Sequence, residues 1–143
     1  MKVSMKTTNG VRALVDLAMH YEEGPVTIGC LARRLGISKY YLENLMLILK
    51  RSKLVIPSRG PNGGYSLSRQ PADIGLLEAL AALEGTEASV YCANCPGSCP
   101  YHSCCASRAL LDFLDETVVN ALSPITLESM AKWQEISLKR NLV

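Results

Sequence analysis

Apolar residues recur at helical spacing through the first fifty positions, and breakers divide them into three runs. In "TTNGVRALVDLAMHYEEG", Val11, Leu14, Val15, Ala18 and Met19 share one face, and Gly24 and Pro25 stop the run. "TIGCLARRLGIS" opens on Thr27 as an N-cap, carries Ile28, Leu31 and Leu35 as its apolar stripe, and ends at Gly36. "SKYYLENLMLILKRSKL" opens on Ser38 as N-cap and turns Leu42, Leu45, Met46 and Leu49 inward. A longer helix followed by two short ones around a tight glycine turn predicts a helix-turn-helix.

The period then changes. Leu54, Val55 and Ile56 read as a strand, "RGPNGG" as a turn, and "GYSLSR" as a second strand in which Tyr65 and Leu67 alternate. A helix-turn-helix followed by a two-stranded hairpin predicts a mainly α chain of the winged-helix class. Further on, residues 107–123 place Leu110, Leu111, Leu114, Val118 and Leu122 on one broad apolar face with acidic residues opposite. A small domain that already has core helices predicts that this long amphipathic helix pairs with its twin in a homodimer. The expected organisation is a DNA-binding region over 1–85, a cysteine-rich loop over 86–106, and a dimerisation helix with a C-terminal tail over 107–143.

Composition sharpens the picture. With 143 residues, 48% of them hydrophobic, the chain is sized for one packed domain. No stretch approaches the roughly 20 apolar residues that span a bilayer, and the N-terminus lacks the apolar core of a signal peptide. A cytoplasmic location is expected, where structural disulfides are rare. The net charge of +2 hides a division. Residues 1–70 hold eleven Lys and Arg against four Asp and Glu, and residues 71–143 hold four against nine. The basic half is suited to a polyanion.

In a winged helix the second helix of the pair enters the major groove with its first turn nearest the bases. That turn carries Ser38, Lys39, Tyr40 and Tyr41, with Glu43 following as a candidate acceptor for a cytosine amino group. Adjacent tyrosines point about 100° apart on a helix, so one of the two is expected to be exposed. Lys50, Arg51 and Lys53 at the far end are placed for phosphates, as is Arg59 at the wing's root. Asn62 and Gly63 at the wing's turn complete the candidate contacts with double-stranded DNA. Cys30 and His20, which lie on helices, are expected to be structural.

Five of the six cysteines, Cys92, Cys95, Cys99, Cys104 and Cys105, fall within "YCANCPGSCPYHSCC". They are too dense to be buried singly as small hydrophobes, and thiolates suit iron–sulfur clusters and zinc alike. Cys92 and Cys95 form a C-x-x-C pair, whereas the adjacent Cys104 and Cys105 cannot chelate in the same way. A thiol oxidoreductase would place such a pair at a strand–helix junction of an α/β chain. The helical pattern offers no such junction, so no enzyme is expected.

The segments "MKVSMKTTNGVRALVDLA", "LARRLGISKYYLENLMLILKRSKLV", "SRGPNGGYSLSR" and "ALEG", with the cysteine loop and "LSPITLESM", resemble the Rrf-two family of winged-helix transcription regulators, in its iron–sulfur-binding branch. The resemblance implies a homodimer on a pseudo-palindromic operator. It also implies one 2Fe–2S or 4Fe–4S cluster per subunit that controls operator binding in response to iron, redox state or nitric oxide. Three cysteines about five residues apart hold the cluster in that branch. Cys92, Cys99 and Cys105 match, with six and five residues between them. The fourth ligand stays open. Where some members have a histidine this chain has Arg108, and where others have an N-terminal acid it has Thr8; Cys95, His102, Cys104 and a partner-chain group are candidates. The alternative is the same fold with a zinc site or a thiol redox switch.

Overall fold

In the computed structural model, residues 3–84 and 105–141 are described. The chain forms α1 (Met5–Met19), α2 (Ile28–Leu35), α3 (Lys39–Arg51), β1 (Val55–Ser58), β2 (Gly64–Leu67), α4 (Leu76–Glu84), α5 (Ala106–Leu122) and α6 (Leu127–Asn141). Single 3₁₀ turns at Tyr21–Glu23 and Pro71–Asp73 lie between them.

The boundaries follow from local chemistry. Ser4 caps α1, its Oγ accepting from Thr7 N at 3.1 Å, so the helix begins before the run of Thr7 and Thr8. Thr27 caps α2 through Cys30 N at 3.2 Å, and Ser38 caps α3 through Tyr41 N at 3.3 Å. Gly36 ends α2 in the left-handed conformation, with φ of 68°. α3 ends in a Schellman motif: Lys53 N donates to Lys50 O at 3.0 Å and Leu54 N to Leu49 O at 2.9 Å. Lys53 takes the left-handed position, with φ of 57°, where glycine is usual.

α1, α2 and α3 bury Leu14, Leu31, Leu42, Leu45, Met46 and Leu49 in one core, closed by Leu54, Val55, Leu67 and Leu83. The hairpin pairs Val55 with Leu67 and Ser58 with Gly64, antiparallel. Tyr65 spends its backbone N–H and carbonyl on Val26, at 2.8 and 2.9 Å. Its other neighbour is Pro57, which has no N–H to offer, so the proline costs the ladder nothing. The bridge to Val26 ties the wing to the entry of α2.

α6 is the main departure from the expected organisation, in which these residues were a C-terminal tail. Leu127 and Ala131 are buried in the core, and α6 packs along α1. Leu127 N donates to Ile74 O at 2.9 Å and Leu76 N to Ile125 O at 2.8 Å, which fastens the start of α6 to the start of α4. α5 differs from every other helix in that none of its residues is buried.

Candidate nucleic-acid interface and the base of the cysteine loop

α3 is amphipathic in a way that separates fold from function. Leu42, Leu45, Met46 and Leu49 face the core, and the opposite face presents Lys39, Tyr40, Glu43, Asn44, Leu47 and Lys50 to solvent. Tyr40 is 78% exposed, whereas Tyr41 is half-buried and packs against the core, so the adjacent tyrosines divide as their 100° separation requires. Ser38 is exposed, but its hydroxyl is engaged as the α3 cap. Glu43 is exposed and makes no ion pair among the described residues. Asn44, which the sequence pattern did not single out, donates through Nδ2 to Tyr40 O at 3.1 Å and shares the tyrosine's face. Its position four residues after Tyr40 was the available signal.

At the far end of α3, Lys50, Arg51 and Lys53 are exposed, and so is Arg59 in the wing. The wing turn is closed by Gly63 N donating to Gly60 O at 2.9 Å, with Pro61 and exposed Asn62 between them. A Cβ on Gly63 would lie 2.5 Å from Ser58 O and 2.8 Å from Gly60 O, so only glycine closes this turn. Lys39, Lys50 and Arg51 on α3, Lys53 just after it and Arg59 in the wing are all exposed, so the basic half of the sequence supplies exposed cations along α3 and the hairpin.

Charged pins hold α2, the first helix of the pair, against α1. Arg34 Nη2 donates to Asp16 Oδ2 at 2.6 Å, and Arg12 Nη2 donates to Leu35 O at 3.0 Å. His20 joins the first pin. Its Nδ1 lies 2.7 Å from the Asp16 carbonyl oxygen, which can only accept, so Nδ1 carries the proton and Nε2 accepts from Arg34 at 3.3 Å. Cys30 is half-buried against the core. His20 thus stands just past α1 as its C-cap and not on the helix as expected, while Cys30 lies on α2.

The two ends of the cysteine loop are also defined. On one side Glu84 Oε1 accepts from Ser4 N at 3.2 Å, Ser4 Oγ at 3.0 Å and the Thr7 hydroxyl. The Thr7 bond, then those from Ser4, hold its carboxyl below the usual glutamate range. On the other side Cys105 stands at the N-cap position of α5, where the backbone N–H groups of Arg108 and Ser107 at the helix start draw its thiol below the usual cysteine range. The thiolate is the form that binds metal. Cys92, Cys95, Cys99, His102 and Cys104 lie outside the described residues, and no group of three metal-binding side chains is assembled among the described ones. Arg108 approaches Asp112, with Nε 3.5 Å from Oδ2.

The comparisons with known proteins find the same fold. The family described as "Rrf2: Iron-dependent Transcriptional regulator" matches residues 3–133. The chain belongs to the Rrf2 family. It is 35% identical over 136 residues to the HTH-type transcriptional regulator IscR of Xenorhabdus nematophila, covering 95% of this chain and 82% of that one. Protein rrf2 of Nitratidesulfovibrio vulgaris is 33% identical, over 92% of this chain and 88% of that one. Among solved structures, T. potens IscR superposes with a TM-score of 0.77 at 34% identity, over 96% of this chain and 90% of that one. CymR, described as the global cysteine regulator of B. subtilis, superposes at 0.78 with 29% identity, over 93% and 98%. This Rrf2 protein is therefore a DNA-binding transcriptional regulator of the winged-helix kind and not an enzyme. No helix among the described residues is long and apolar enough to cross a membrane.

Proposed function

We propose that the chain works as a homodimer whose operator affinity is set by an iron–sulfur cluster held by the cysteine loop. The carrying observation is the placement of the loop between two fixed points. Glu84 is tied to the α1 cap on one side, and Cys105 starts the uncovered helix α5 on the other. Whatever the loop binds is thus joined both to the winged helix and to the proposed dimer helix.

Cys92, Cys99 and Cys105 are the proposed ligands, with Cys95, His102, Cys104 or a partner-chain group completing the site. A 2Fe–2S or 4Fe–4S centre there would supply sensitivity to oxygen, nitric oxide or iron supply. The chain's own part is mechanical. Cys105 as a thiolate anchors the first turn of α5, and Glu84 carries any change at the loop's start into α1, which packs against α2 and α3. Loading the loop would then alter how two recognition helices sit relative to a pseudo-palindromic operator.

On the DNA the proposed roles divide by position. Lys39, Tyr40 and Glu43 meet base edges with the first turn of α3, on which Ser38 serves as cap and Tyr41 as support. Lys50, Arg51, Arg59, Asn62 and Gly63 meet the backbone or the minor groove. Arg59→Gln and Lys50→Gln should each weaken binding across sequences and lower the slope of log K against log salt by about one unit.

Anaerobic purification with iron, sulfide and zinc quantitation and an absorbance spectrum tests the cofactor. Iron and sulfide in stoichiometric amount, with operator affinity that changes when they are removed, is the expected result. Protein without iron or sulfide would sink the cluster reading. Stoichiometric zinc, or an affinity that follows thiol oxidation alone, would then identify the second reading. That reading has a structural parallel in the Staphylococcus aureus CymR solved in an oxidized form, 27% identical with a TM-score of 0.71 over 92% of this chain and 96% of that one.

A further inference from the structure

The exposed face of α3 holds one side chain that neither the core nor the solvent calls for. Lys39, Tyr40, Glu43, Asn44, Lys50 and Arg51 all carry polar groups, and Leu47 alone among the exposed residues of α3 is aliphatic. It is 43% exposed, while Leu42, Leu45, Met46 and Leu49 already supply the buried side of the helix. Steps of three and four residues put Tyr40, Glu43, Asn44 and Leu47 in a single stripe along α3. Exposed Lys50 and Arg51, three and four residues on, flank Leu47. A lone exposed leucine is commonplace elsewhere on a protein surface. Here it stands between two cations on the helix that a winged-helix regulator turns toward DNA, so a polyanion's groove is the surface that suits it.

A leucine side chain has no donor and no acceptor, so it can read only an apolar group. In the major groove that group is the C5-methyl of thymine. Against a G·C pair the same side chain would strip water from the guanine N7 and O6 acceptors and offer nothing in return. We propose that Leu47 is a specificity-determining residue: it packs on the methyl group of a thymine in each half-site and so selects an A·T pair there. The inference rests on the reading, proposed above, that α3 meets base edges. It adds a base choice made by apolar contact to the one that Glu43 makes by hydrogen bonding.

The test uses the full chain, purified anaerobically, and a duplex that the wild-type protein selects in vitro. Deoxyuridine replaces each thymine of one half-site in turn, which removes a methyl group and leaves every hydrogen-bonding atom in place. Affinity is read by fluorescence anisotropy at fixed salt for wild type, Leu47→Ala, Leu47→Met and Tyr40→Ala. At one thymine the replacement should weaken wild-type binding about fourfold, the worth of one buried methyl group. Leu47→Ala should bind thymine and uracil equally at that position, with the wild-type response kept at every other. Leu47→Met, which keeps an apolar side chain of similar volume, should retain most of the preference. Because Leu47 lies outside the core and alanine favours a helix, Leu47→Ala should melt close to wild type, which separates lost preference from lost fold. The absence of any thymine whose methyl group matters would overturn the proposal. So would a penalty that persists in Leu47→Ala, or one that Tyr40→Ala abolishes in its place. A wild-type protein that selects no duplex, or binds its duplex equally well after base-pair changes at every position, would instead refute the placement of α3 against base edges.

Discussion

Lys53 shows how one residue is placed against its own preference. It occupies the left-handed position of the α3 Schellman motif, where a Cβ crowds the following carbonyl. Its backbone bonds to Lys50 and those of Leu54 to Leu49 survive any side chain, so Lys53→Gly should stabilise the fold by about 0.5–1 kcal/mol. Urea denaturation should show a raised midpoint with an unchanged slope; a lowered midpoint would mean that the lysine side chain supports the fold. Glu84 is the opposite case, a charge in a site built for it. Three donors from Ser4 and Thr7 converge on one carboxylate oxygen and depress its pKa in the folded state. A depressed carboxylate contributes stability that is fully present above its unfolded pKa, about 4.3, and is lost as pH falls through the folded value. Glu84→Gln should therefore be less stable than wild type at pH 7. The gap should begin to narrow as pH falls below about 4.3 and close once the pH is under the depressed folded value, where wild type is protonated too. Parallel melting curves across that range would show that the charge has no part in the link.

At the scale of elements, α1 and α4 meet closely at Gly10. A Cβ on Gly10 would fall inside the Leu83 side chain, and both residues are buried. Gly10→Ala should cost about 1–3 kcal/mol by overpacking, in spite of alanine's better helix propensity. Leu83→Ala should also destabilise alone, yet the double variant should be less damaged than the sum, since each change makes room for the other. Strict additivity in chemical denaturation would contradict this packing. Such long-range fits are what the sequence hides. The helix-turn-helix and wing were legible because their signals are local: Thr27 and Ser38 at helix starts, Gly36 at a helix end, and breakers in the wing turn. The bond from Glu84 to Ser4 joins residues 80 apart, and no spacing announces it. α6 read as a tail because its apolar pattern is weak; Leu127 and Ala131 alone are buried, and Trp133, Ile136 and Leu138 stay exposed. The exposure of Tyr40 and of the basic residues of α3 was readable because the core needs only one half of an amphipathic helix.

The whole molecule divides its surface by purpose. α3 and the wing expose Lys39, Lys50, Arg51 and Arg59, the proposed DNA contacts, whereas α5 carries Asp112, Asp115 and Glu116 beside apolar side chains. Leu111, Val118 and Leu122 on α5 are half-buried, but Leu110, Phe113, Leu114 and Val119 are 47–64% exposed. No residue of this 17-residue helix is buried, and the exposed Leu110, Phe113 and Leu114 lie on one side of it, the side that the proposed dimer would use. Phe113 is the most exposed of these, at 64%, so replacing it should barely disturb the protomer. Phe113→Glu should leave the thermal melt of the folded chain close to wild type at low concentration while converting the dimer to a monomer in sedimentation equilibrium. Because a dimer presents two recognition helices to two half-sites, the second contact is intramolecular and multiplies affinity by about 100-fold or more. Operator binding, measured on a duplex selected in vitro by the wild-type protein, should fall by that factor. The salt slope should fall as well, because only one set of phosphate contacts remains. A Phe113→Glu protein that still sediments as a dimer and binds the duplex with wild-type affinity would place the dimer contact away from α5 and remove its proposed link to the cysteine loop.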